Sequence, residues 1–145
     1  MAAVTANKAA LQNMLSKLKA MGGVTQAVIG EPMAAQTGTV AIIPTGGRVD
    51  ETTLTSPREI HAVTLRRYHS ALEEPKENIE FAHDQWRANI LDDIFGEFDL
   101  GGSIAYPLPI LTTWDYGYQE VGRVMYRLLD LSISYRIDDR ATFAP

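Results

Sequence analysis

Two stretches of the chain place apolar residues three or four positions apart, and two others place them at every second position. In the first stretch Leu11, Met14, Leu15, Leu18 and Met21 share one face, with Lys8, Gln12, Ser16 and Lys19 between them. This spacing predicts an amphipathic helix over 6–21, with Thr5 or Asn7 as its cap. Gly22-Gly23 would end it through a left-handed C-terminal cap. Val24 to Ile29 is β-prone but short, and Gly30-Glu31-Pro32 stops it. TVAIIP (Thr39 to Pro44) predicts a buried strand, and TGGRVDETTLTSP (45–57) reads as an exposed loop. From Arg58 to Tyr68, Ile60, Ala62 and Thr64 face one side while His61, Val63 and Leu65 face the other. Two strands joined in this way suggest an antiparallel pair.

Glu73-Glu74-Pro75 then suits the start of a helix, because carboxylates favour the positive end of its dipole. Ile79, Ala82, Trp86, Ile90 and Ile94 form its apolar stripe, and Gly96 would end it. Residues 97–111 (EFDLGGSIAYPLPIL) combine loop formers with many apolar side chains, so they are expected to pack on the body or on a neighbouring subunit. TTWDYGYQE resumes a β pattern, with Gly117 at a bulge or turn. The last element is a long strand. Leu129, Leu131, Ile133, Tyr135 and Ile137 share one face, and Asp130, Ser132, Ser134 and Arg136 share the other. The predicted order is α-β-β-α-β-β: an α+β fold with two helices on a mostly antiparallel sheet, forming one domain over 1–145.

Composition narrows the function. With 145 residues, the chain can bury a real core. A net charge of -5 argues against a general nucleic-acid-binding surface, and no sequence-specific nucleic-acid partner is expected. There is no cysteine, so disulfides, thiolate nucleophiles and cysteine-based metal sites are excluded, in keeping with a reducing cytoplasm. Lysines interrupt the N-terminal apolar run, and no stretch approaches the roughly 18 apolar residues of a spanning helix, so a soluble chain is expected.

Motifs for catalysis are weak. TGGR after Pro44 lacks the lysine, the hydroxyl residue and the following helix of a phosphate loop. His61, His69 and His83 form no metal-ligand spacing, and His83 reads as a solvated or interface residue. The pairs Glu73-Glu74, Asp92-Asp93 and Asp138-Asp139 are sequence neighbours that point apart on a helix, a poor geometry for an acid and a base. No enzyme, metal or cofactor is expected.

Charge does separate along the chain. Acidic residues from Glu73 to Asp99 contrast with Arg123, Arg127, Arg136 and Arg140. Arg123 and Arg127 share strand parity and would form a positive ridge. If the ridge met the acidic helix of a neighbouring copy, the two would orient a head-to-tail ring.

Several landmarks together resemble the tail terminator, or neck, proteins of long-tailed phages and related prophage or gene-transfer particles. They are the N-terminal helix, Val24 and Val28 leading to Pro32, the VAIIP strand, the helix with Trp86, and EVGRVMYRLLDLSISYRID with Gly122 and Tyr126. The resemblance spans about residues 6–138. It implies an α+β subunit of a homohexameric ring at the head–tail junction of a virion, assembled in the host cytoplasm. Such a ring caps the tail tube, ends its polymerisation, and docks to the head connector or stopper protein. Candidate contacts are Arg48, Asp50, Glu51, Asp84, Asp92, Asp93, Leu100, Ile104, Tyr106, Leu108, Arg123 and Arg127. The rival readings are another connector or stopper component, or a small-ligand-binding α+β domain with a cleft near Trp114 and His61.

Overall fold

A computed structural model describes residues 2–53, 56–93 and 105–138 of the chain. The elements are α1 (Ala2–Ala20), β1 (Gln26–Ile29), β2 (Thr39–Thr53), β3 (Ser56–Ser70), α2 (Lys76–Asp93), β4 (Ala105–Val121) and β5 (Val124–Asp138). The α+β class holds. The strand count is corrected by β1, the short β-prone segment, which pairs parallel to β2 from Gln26↔Thr39 to Ile29↔Ile42. The sheet order is β1-β2-β3-β5-β4, and every other pairing is antiparallel.

The expected loop over 45–57 is also corrected. β2 continues through Gly46, Gly47 and Arg48 to Thr53, and β3 begins at Ser56, so these residues form the outer part of a long hairpin. The ladder is irregular between Pro44 and Gly46 and again between Asp50 and Thr52. Proline lacks an N–H to donate there, and glycine accepts the bent backbone of a bulge. Gly47 has a steric reason as well: a Cβ there would lie 2.6 Å from the Ile60 carbonyl oxygen of β3. The apolar 97–111 segment is a strand from Ala105 onward, and its first part lies outside the described residues, as do Ile94 and Gly96. Gly117 marks neither turn nor bulge; it pairs in register with Leu128.

Period-two alternation sorts the sheet residues as the sequence expects. Val40, Ile42, Val63, Leu65, Leu129, Leu131, Ile133, Tyr135 and Ile137 join the main core with residues from both helices. α1 contributes Ala10, Met14 and Leu18, with Met21 just beyond it, all at most 6% exposed. Gly23, at φ +83, turns the chain out of α1, as the left-handed cap requires. α2 contributes Trp86 and Ile90.

The opposite face carries a smaller cluster of Ala41, Tyr68, Tyr126 and Leu128. Ala35 packs there too, and the Tyr126 hydroxyl donates to its carbonyl at 2.7 Å. Farther along that face Arg66 forms a two-pronged pair with Asp130, at 2.8 and 3.0 Å, and reaches Gln119 at 3.1 Å. β4 and β5 are joined by Gly122 and Arg123, both at positive φ (57 and 67), the backbone of a tight two-residue hairpin turn.

Candidate functional site

The sequence-derived contact residues fall in three places. The first is the outer half of the β2–β3 hairpin. Successive side chains of a strand point to opposite faces, yet every residue from Pro44 to Val49 is exposed, so β2 has solvent on both faces here. β1 pairs only with residues 39–42 of β2, leaving the lateral edge beyond them unpaired by β1. Arg48 lies on this arm opposite Ile60, and Asp50 pairs in register with Arg58 farther toward the tip. Glu51 is in the same strand. Val49 is 60% exposed, and an open depression of about 440 Å³ lies between it, Gly47, Ile60 and His61.

The second place is α2. Asp84 is exposed and accepts two hydrogen bonds from Arg87, at 2.8 and 3.2 Å. Asp92 is exposed near the helix end, where Asp93 is the last residue. Arg87 also lies over the Trp114 ring of β4, 4.6 Å from its centroid. The third is the β4–β5 hairpin. Arg123 sits in its turn, so the expected ridge of Arg123 and Arg127 on one strand is corrected. Arg127 faces inward to α2, where its Nε donates to Glu80 at 2.9 Å. The Tyr116 and Tyr118 rings lie 4.9 and 4.8 Å from its guanidinium. The attraction between basic strand and acidic helix, expected between copies, is satisfied for Arg127 inside one chain.

Tyr106 and Leu108 belong to β4, while Leu100 and Ile104 lie outside the described residues. Trp114 and His61 have separate partners: Trp114 sits beneath Arg87, and His61 stacks on Tyr135 and bonds Glu59 at 2.9 Å.

The least expected chemistry lies under α2. His83 is fully buried, which corrects its reading as a solvated or interface residue, and it meets two residues of β3, Arg67 and His69, that are 5% and 4% exposed. Arg67 Nη1 donates to Nδ1 of both histidines at 3.1 Å. Nε2 of His83 donates to the Arg127 carbonyl at 3.0 Å, and Nε2 of His69 donates to the Glu73 carboxylate. Burial lowers the Arg67 pKa, opposed by the charge of Glu73. This layer had two signals in the sequence. Ile79, His83, Trp86 and Ile90 are spaced four, three and four apart, so His83 belongs to the apolar stripe. Arg67 and His69 share strand parity with Val63 and Leu65, which places them on the inward face.

Among the described residues no group of three or more histidine, cysteine or carboxylate side chains can hold a metal ion. No described helix is long and apolar enough to cross a membrane. No family model matches the chain, and no curated protein matches it.

Proposed function

We propose that this chain is a structural subunit of a phage-like particle, a tail terminator that closes the tail tube as a head-to-tail ring and presents a docking face to the head connector. The observation that carries the reading is the β2–β3 arm. Fifteen-residue strands extend for about 50 Å, and β2 is exposed on both faces from Pro44 to Val49, where its edge away from β3 pairs with no described strand. An unpaired strand edge has hydrogen-bonding capacity that suits assembly with other copies.

Sheet direction supports the same reading. β2 and β4 run antiparallel to one another, so copies related by rotation bring unlike, oppositely directed edges together. That is the arrangement of a heterologous interface, which closes into a ring when the rotation allows. The resemblance of residues 6–138 to neck proteins supplies the partners: a tail tube protein and a connector or stopper protein.

The test is absolute mass in solution together with negative-stain imaging, for the chain alone and mixed with tail tubes. A ring of several copies, or caps on tube ends, is the expected result. Val49→Asp should remove the ring or the caps while changing folding stability by no more than about 0.5 kcal/mol, as for an exposed position. A chain that stays monomeric and ignores tail tubes overturns the reading.

A further inference from the structure

The hydrogen bonds around His83 fix its protonation. Arg67 has only donors to offer, so Nδ1 must be the bare acceptor, and the Arg127 carbonyl requires the proton on Nε2. Both nitrogens of a neutral ring are thereby used. A second proton would have to sit on Nδ1, against a guanidinium, in a space closed to water.

The groups facing this ring come from every element around it. β3 supplies Arg67 and His69, β5 supplies Arg127, and β4 supplies Tyr116, whose ring centroid is 6.2 Å away. Glu80 on α2 is engaged by Arg127, and Glu73 in the turn before α2 is engaged by His69. Both carboxylates are held by other partners, and the charge in direct contact with His83 is the positive one of Arg67. Burial, then Arg67, push His83 down to about 3 from an ordinary 6.5.

We propose that His83 is an acid-released latch: docked α2 excludes a proton that undocked α2 accepts, so acidification frees α2 from the sheet while α1 stays seated. The sign follows from the depressed value. Docking is complete above pH 6.5 and weakens as the pH falls from 6.5 toward 3. The ratio of undocked to docked α2 then rises about 30-fold by pH 5 and about 300-fold by pH 4. The apolar contacts of α1, through Ala10, Met14, Leu18 and Met21, contain nothing that titrates in this range.

Hydrogen–deuterium exchange of the full chain, resolved for α1 and α2 and corrected for intrinsic rates, tests the latch. Between pH 8 and pH 5 the opening of α2 should grow about 30-fold, and that of α1 less than threefold. An α2 that keeps its protection, or two helices that lose protection together, overturns it. His83→Gln should make α2 opening independent of pH over the same range. If that variant does not fold, nitrogen NMR of the histidine rings in the unaltered protein decides. A docked His83 that stays in its neutral Nε2–H form down to pH 4 supports the latch, and one that titrates near pH 6.5 while docked overturns it.

Discussion

The two helices lie on the same face of one sheet but are fastened by different chemistry. α1 is held by a stripe of alanine, methionine and leucine whose removal from water is non-directional. Methionine side chains adapt to the gaps they fill, so this contact tolerates small shifts. α2 has an apolar part, Ile79, Trp86 and Ile90, but beside it runs a polar seam. Arg67 bridges two histidines, Arg127 joins Glu80 and two tyrosines, and Arg87 rests on Trp114. The seam adds little net attraction, since each buried polar group gives up its hydration before it gains a partner. What it adds is position, because each bond has a direction and a length. α1 is the helix that stabilises, and α2 is the helix whose seating is specified and sensitive to solution conditions.

Truncation inside the α1 stripe should have the largest effect. Leu18→Ala is expected to cost about 2–5 kcal/mol in denaturant unfolding, with no dependence on pH between 8 and 5 beyond that of the parent. A smaller loss should follow Arg67→Ala, which strands two histidine acceptors under α2 and costs about 1–3 kcal/mol. A cost equal to that of Leu18→Ala, or none, would erase the contrast between the two docks. Smallest is Glu80→Gln. The Glu80 side chain is 43% exposed, so the pair with Arg127 is screened and its loss should cost about 0.2–1 kcal/mol. That difference should shrink in molar salt, whereas the Leu18→Ala difference should not.

The legibility of the sequence followed the same division. β5 and α1 could be read from periodicity because one face of each meets a continuous apolar core, which imposes an unbroken rule on residue type. The arm could not. From Thr45 to Thr53 all residues but Val49 are polar, small or β-breaking, and no apolar alternation organises them. Their strand conformation comes from hydrogen bonds to a partner strand, a non-local cause that composition does not record. Ser56 and Pro57 of β3 pair with Thr53 and Thr52, although both residue types usually mark a loop. The histidine layer was obscured for a different reason. His83 fits the helical period perfectly well, but a polar residue on an apolar stripe declares itself only when its buried partners, Arg67 and His69, are known from the register of another element. Arg127 misled in the reverse direction: the attraction of the acidic helix for the basic strand was legible, and the sequence left open whether it acts within a chain or between chains.

The placement of β5 also bears on how the molecule is made. This strand lies between β3 and β4, yet it is synthesised after both, and its ladder joins residues as distant as Leu65 and Leu131. Until β5 emerges, neither neighbour has a partner on that side, and the nascent chain displays two raw strand edges. Such long-range pairing slows folding and lengthens the interval in which wrong partners compete. Insertion of β5 therefore acts as a checkpoint in production: only a chain that has received it has the completed five-stranded sheet.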